Sequence, residues 1–462
     1  MSNSSLGEFR FERAAPRHQA IRTFFLTLLV IGGVYGVWLL AFWPGFLGED
    51  SLAVILEIES NGTFQSRKPV FWYYFIKLLS GPHEWIETPI AVQLIITTII
   101  FSRILSWCLL QQMKNIFIFG LVFICLAPNM IFFAGLLYAD GIFSVCAVGL
   151  LFEFWLIAQR RSIRALSLAM IAISLPFAAF ARANGFIFLM ALVPLFYVLR
   201  KADRLKLAAV TLAWLAAVWV GGQAHETAKH GALFPLALFE TVNFLQPRPM
   251  NLWPDSPRVS ETTVQILTQR QPLAKILESY DPDYWDTLVY KQGGADFLAL
   301  TRDQKKKIVS EFFRYNLWRN IPDFLGSRVN IFLVATLAKG GFPSLDDSAR
   351  IIKSTRIHSE FRSMNMQATE AVLRTFYEFS YSVRWLLWSP LFGIFLTFLL
   401  FRSGLKRRDF PTLLVTIPML AQLGGIFLFS IAGEYRYLLP YFVLPLVLLP
   451  ILEIQRRQTG AA

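Results

Sequence analysis

Apolar runs of about 17 to 25 residues recur along the chain, each long enough to cross about 30 Å of hydrocarbon as a helix. They fall at about 21–43, 88–110, 116–137, 141–158, 165–181, 185–199, 207–222, 383–401, 411–432 and 437–453, ten in all. Between the first two lie shorter amphipathic segments, about 50–62 and 69–80. In the first of these Leu52, Ile55, Leu56 and Ile58 share one side, while Asp50 and Glu57 lie seven apart on another, as in a helix lying in a membrane interface. From 223 to 381 the pattern changes. Turn signals such as Pro247-Arg248-Pro249 and Asp281-Pro282-Asp283 separate helical patches such as 303–319, and the apolar piece Val329–Ala338 is too short to span. The expected fold is therefore all-α and integral to a membrane, with about ten transmembrane helices and amphipathic helices in the first outer loop. It divides into an N-terminal transmembrane module, 1–222, a mostly helical extracytoplasmic region, 223–381, and C-terminal transmembrane helices, 382–462.

Composition agrees. Hydrophobic residues make up 55% and charged residues 16% of the 462, against roughly one quarter charged in a soluble domain. The net charge of +13 comes from Lys and Arg in short loops rather than in one stripe, which argues for topology signals and against nucleic acid. A basic start, with Arg10, Arg13, Arg17 and Arg22, is expected in the cytoplasm, and Phe42-Trp43-Pro44-Gly45 is no small-residue cleavage site, so the first helix is expected to be retained. Lys114, the 160–164 turn, the 200–206 segment, the 402–408 cluster and Arg456-Arg457 then all fall inside, with both termini. Counting Val329–Ala338 as a span would put the 402–408 cluster outside. Cys108, Cys125 and Cys146 fall within spans, lack metal-ligand spacing, and are expected to be reduced core thiols.

With that sidedness, the opposite face collects Glu49-Asp50 with Glu57, Asp140, Arg182 and Arg436, and Arg67 and Lys68 belong to the same layer. Ionisable groups at a membrane boundary are costly unless paired or wetted, so acids and bases at one level indicate a polar cavity. Such a cavity suits transfer from a lipid-phosphate donor: a carboxylate takes the proton of an acceptor hydroxyl while Arg and Lys neutralise the departing phosphate. Each residue also has a plainer reading. Asp50 suits a helix N-terminus, Glu57 and Glu59 a solvated face, Asp140 a turn before Gly141, Arg182 and Arg436 interface anchors, and Arg67 and Lys68 lipid headgroups. Their coincidence on one face carries more weight than any one alone.

Three patterns carry no chemistry. In His225-Glu226-Thr227-Ala228-Lys229-His230 the histidines are five apart and do not share a helical face as a zinc helix requires. Asp281-Pro282-Asp283 matches a DxD metal motif without the nucleotide-binding α/β pattern, and reads as a turn. Asn61-Gly62-Thr63 matters as a glycosylation sequon only in a secretory host. There is no P-loop, GxSxG or CxxC.

The first span ending in Pro44-Gly45, the Asp50-Ser51 pair, the amphipathic helix, and Arg67-Lys68-Pro69 with Trp72 and Tyr73 together resemble the GT-C superfamily of multi-pass glycosyltransferases, particularly bacterial members using polyprenyl-phosphate sugars. Arg182-Ala183-Asn184-Gly185 and Tyr435-Arg436-Tyr437-Leu438-Leu439-Pro440 look like further elements of that family, in which Asn184 and Tyr435 would support the site. Lys68-Pro69 stands where related sequences often have His-Pro, and Ala139-Asp140 where they often have Lys-Asp. The resemblance implies a catalytic acid at Asp50, a second at Asp140, and inversion in a single displacement; the charge pattern assigns the donor phosphate to Arg182 and Arg436, with Arg67 and Lys68 as secondary candidates, and a supporting place to Glu49 and Glu57. Some relatives use a divalent cation near these acids and others do not, so a metal stays open. The implied setting is a bacterial inner membrane, with the site periplasmic, a polyprenyl-phosphate sugar as donor and a cell-envelope glycan or lipid as acceptor. A flippase for lipid-linked sugars, and a polymerase or ligase of lipid-linked glycans, remain alternatives.

Overall fold

The computed structural model describes residues 16–225, 233–247, 257–269, 271–290 and 297–460. The two basic residues Arg10 and Arg13, most of the 225–230 histidine segment, and Arg248 and Pro249 of one expected turn lie outside them. Among the described residues the chain is all helical, with only isolated bridges of extended backbone. Seven helices among the described residues are long and apolar enough to cross a membrane: Arg17–Ala41 (α1), Glu87–Leu110 (α4), Ala139–Arg160 (α7), Lys201–Ala224 (α11), Arg384–Arg407, Phe410–Phe429 and Tyr435–Thr459.

The remaining apolar runs are helical but broken or short. The 116–137 run divides into Lys114–Cys125 (α5) and Pro128–Gly135 (α6), bent by 60°. Pro128 opens α6, where its missing N–H costs nothing, but it cannot continue the ladder of α5. Ala165–Phe180 (α8) has 16 residues, and beyond it the 3₁₀ turn Ala183–Gly185 leads into Phe186–Met190 (α9) and Leu192–Val198 (α10). The amphipathic segments form Glu49–Glu59 (α2) and Val70–Ser80 (α3).

Helix α7 is the hub, buried continuously from Asp140 to Ala158. Between apolar surroundings the gain comes from close packing rather than from expelling water, and small residues set how near the backbones come. Gly141 shows this: a Cβ there would stand 2.0 Å from the Phe133 carbonyl oxygen, so only glycine lets α6 and α7 meet. A buried ion pair, Arg103 Nε to Glu153 Oε1 at 2.8 Å, joins α4 to α7 in the C-terminal half of each. Gln93, earlier on α4, donates to the carbonyls of Ala134 and Leu136, at the other end of the bundle.

These ties sort the loops. The 111–112 turn accepts hydrogen bonds from Arg457, Gln455 bonds Asp409 and Ser403, and the 163 turn bonds Asp203, so the basic turns gather at one end. The starts of α2 and α7 and the end of α8 gather at the other. Beyond that end the 234–331 region holds a second hydrophobic cluster around Phe239, Val242, Ile276, Leu288, Ile308 and Phe312.

Candidate functional site

The first outer loop is stitched to the second by backbone. Phe46 N donates to Gly135 O at 3.0 Å and Leu137 N to Phe46 O at 3.0 Å, a parallel bridge of two strangers in sequence. Buried Ser51 completes the join, its Oγ donating to Leu137 O at 3.1 Å and accepting from Gly48 N at 3.2 Å. The Asp50 N–H, free of any intrahelical partner in the first turn of α2, donates to Tyr138 Oη at 3.2 Å. The start of α2 is thereby fixed against the start of α7, and Asp50 beside Asp140.

Both aspartates are paired. Asp50 Oδ2 lies 2.5 Å from Lys68 Nζ and 2.6 Å from Arg436 Nη1, and Arg436 is also gripped by Glu434 at 2.5 Å. Asp140 forms an ion pair with Arg182, whose guanidinium lies 5.1 Å from the Tyr437 ring centroid. Arg436 packs in the same way on Tyr138 at 5.2 Å and on Tyr437 at 5.6 Å. Aromatic faces thus hold both guanidiniums in place, through the attraction of cation and ring. The two pairs face one cavity of about 140 Å³, which Trp72 and Pro69 also line.

Burial pushes the Asp50 carboxyl up, but Arg436 and Lys68 outweigh it and hold the group well below the usual carboxylate range. Burial pulls the Lys68 ammonium below its ordinary value against the attraction of Asp50. Burial raises the Tyr138 phenol, with Asp50 adding to the effect. Asp50 is therefore a firmly ionised carboxylate holding two cations in register.

Of the residues named from sequence, Asp50, Asp140, Lys68, Arg182 and Arg436 converge here. The others do not. Arg67 is exposed, in a left-handed backbone conformation with φ of 61°, and does not line the cavity. Glu49 turns outward to Arg350 at 2.5 Å and is 73% exposed. Glu57 is buried two turns along α2, where it meets His225 Nε2 at 2.9 Å and the Ser66 hydroxyl. Asn184 sits in the 3₁₀ turn beside the cavity wall without lining it. Tyr435 points away into an aromatic cluster, its hydroxyl accepting from Asn129 Nδ2 at 2.8 Å. Sequence reasoning passed over Tyr138, Tyr437 and Glu434 as site residues, although each stands within two positions of a residue that it named.

Among the described residues no three His, Cys, Asp or Glu side chains converge to hold a metal ion. Both aspartates are already neutralised by cations, so the residues present do not make a divalent-cation site. Asp281-Pro282-Asp283 is a turn, closed by Asp283 N donating to Asp281 Oδ1 at 2.8 Å. No family model matches the chain, and neither a curated protein nor a solved structure does.

Proposed function

We propose that this protein is a membrane glycosyltransferase of the GT-C type, built on about ten spans. It would move a sugar from a polyprenyl-phosphate donor to a cell-envelope glycan or lipid at the non-cytoplasmic face of a bacterial inner membrane. The observation that carries this reading is the Asp50 carboxylate clamped between Lys68 and Arg436, with the Asp140–Arg182 pair across the same cavity. Three cations and two acids at one helix-bundle end match a reaction that needs a base for a hydroxyl and counter-charges for a departing phosphate.

In this reading the donor phosphate takes Lys68 and Arg436 from Asp50 and draws on Arg182. Losing those cations raises the Asp50 carboxylate toward the basicity that its burial favours, so the base is released by donor binding. The acceptor hydroxyl loses its proton to Asp50, its oxygen forms the new bond to the anomeric carbon, and the bond from that carbon to the phosphate oxygen breaks on the opposite face. The phosphate leaves with the electron pair, stabilised by Arg436, Lys68 and Arg182, and the anomeric centre inverts. Asp140 acts as a positioning residue by orienting Arg182.

The test is transfer by purified protein in nanodiscs, with a panel of polyprenyl-phosphate sugars and envelope acceptors. Asp50→Asn is expected to lose about 10²–10⁴-fold in kcat, the usual worth of a general base, while inserting normally. Equal transfer by variant and parent would remove Asp50 from the chemistry. If neither transfers with any donor while both bind lipid-linked sugar, translocation of such lipids becomes the better reading.

A further inference from the structure

The helix Ile321–Thr336, in the outer region, is built inside out. Toward the protein it turns Asp323, Ser327, Arg328 and Asn330. Asp323 pairs with Arg258, Ser327 Oγ donates to Glu240 Oε1 at 2.8 Å, and Asn330 Nδ2 donates to Asp283 Oδ1 at 2.7 Å. Arg328 is fully buried, paired with Glu240 and donating to the Ser430 carbonyl. Away from the protein the helix turns Ile321, Pro322, Leu325, Gly326, Val329 and Leu333, its six exposed residues, and none of them has a polar side chain. Ile321, Leu325, Val329 and Leu333, at spacing four, form one stripe and are 40% to 51% exposed. A helix on a water-facing surface has the opposite order, with its charges outside. This face fits an apolar medium.

The surface that the stripe continues says which medium this is. Phe332, beside the stripe, packs edge-on against Phe427 with ring centroids 5.8 Å apart, and the next two residues, Leu428 and Phe429, are exposed. These three close Phe410–Phe429, one of the helices long and apolar enough to cross a membrane, at its end nearer Glu434 and Arg436. The exposed flank of that helix and the stripe are thus one apolar surface, and lipid that covers the first reaches the second. Sixteen residues rise only about 24 Å, short of the roughly 30 Å of hydrocarbon, so the helix Ile321–Thr336 cannot cross and belongs to one leaflet. Trp318, just before it, is 63% exposed, and tryptophan suits the headgroup level.

We propose that the helix Ile321–Thr336 is seated in lipid, in the leaflet at the end of the bundle that holds the paired aspartates. Its stripe lies among the upper parts of the acyl chains, with Trp318 at the headgroups. A helix seated in this way buries its apolar face about 5–10 Å into the boundary between headgroups and chains. The partner is hydrocarbon, whatever the headgroup. The outer region is then held on the bilayer by an element that does not span it. The seat is independent of the transferase reading and holds or fails whatever the Asp50 cavity does.

For the test, Leu325→Cys and, separately, Val329→Cys carry a fluorescent label in the full chain, with Cys125 replaced by Ser and the buried Cys108 and Cys146 left in place, in phosphatidylcholine nanodiscs. Quenching by lipid that bears a nitroxide near the top of its acyl chain is compared with quenching by aqueous iodide. Phe395→Cys, 62% exposed within Arg384–Arg407, is the lipid reference, and Thr63→Cys, in the exposed turn after α2, is the aqueous one. Both stripe positions are expected to be quenched by the nitroxide at least about threefold more than Thr63→Cys, and by iodide at least about threefold less, because they lie below the headgroups. Iodide quenching equal to that of Thr63→Cys overturns the seat. Shielding from both quenchers means that protein, such as a second copy of the chain, covers the stripe, and overturns it as well.

Discussion

At the scale of single residues, the decisive feature is that Asp50 is 28% exposed yet strongly ionised, because two cations share it. Its folded-state pKa is depressed, so its contribution to stability is fully present above the unfolded value, about 3.9, and is lost as pH falls below it. Asp50→Asn is therefore expected to lower stability by about 1–3 kcal/mol, below the range for a fully buried pair. That difference should be constant from pH 5 to 8 and shrink only below about pH 4. Thermal unfolding of parent and variant in the same detergent across that range checks it, and a difference fading between pH 5 and 7 would show that Asp50 is not held low.

The residues legible in the sequence were those whose charge is expensive where they sit. Asp50, Lys68, Arg182 and Arg436 stood out because a boundary charge demands a partner, although the Asp50–Arg436 contact spans 386 positions and could not be read as a pair. Glu57 shares the helical face of Asp50, but two turns carry it about 10 Å along the axis and away from a cavity at the helix start. Tyr138 gives no signal among 14 tyrosines and 43 phenylalanines, and Tyr437 stands in the Tyr-Arg-Tyr element without any role being assigned to it. Their part is to hold guanidiniums, which only geometry reveals.

Among elements, the junction of α2 with the 135–138 segment controls the site. Gly48 sits at its tightest point, where a Cβ would come within 2.3 Å of Tyr138 Oη and 2.7 Å of Pro343 Cγ. Gly48→Ala must push Tyr138 aside, and with it the ring under Arg436. It is expected to lower kcat about tenfold or more with normal insertion, and Tyr138→Phe, which removes the clashing hydroxyl together with its hydrogen bond from Asp50 N, should recover part of the loss in the double variant. Additive losses would show that Gly48 acts elsewhere. The long helices are marked in the sequence by the length of their apolar runs. The break between α5 and α6 is not, because the 116–137 run is apolar on both sides of Pro128 and hydropathy does not register a missing N–H.

The α4–α7 pair makes a second element-scale case. Arg103 and Glu153 are 10% and 1% exposed, among spans otherwise nearly free of charge. Removing one partner leaves a buried charge, and Glu153→Gln is expected to cost about 3–5 kcal/mol. Arg103→Leu with Glu153→Leu should cost much less than either single change. Unfolding midpoints of Arg103→Leu, Glu153→Leu and the double variant decide this, and a double variant as unstable as the sum of the singles would rule out a pair that acts as a unit.

The chemistry open to the Asp50 cavity depends on which end of the bundle faces which compartment. The clustering of the 111–112, 160–164, 403–409 and 455–457 segments at one end, opposite the paired aspartates, is a matter of contacts. The compartment is an expectation, drawn from the excess of Lys and Arg at that end and the tendency of positive loops to stay cytoplasmic. Thr63, in the exposed turn after α2, and Lys406, exposed at the basic end, report the two faces. With Cys125 replaced by Ser, Thr63→Cys is expected to react with an impermeant maleimide in intact spheroplasts, and Lys406→Cys only after the membrane is opened. The reverse pattern would put the Asp50 cavity in the cytoplasm, where soluble nucleotide-linked donors are at hand. A lipid-phosphate donor would then lose the main reason for its choice, which is that chemistry on the far side of a membrane must draw its activated sugar from a carrier already in the bilayer.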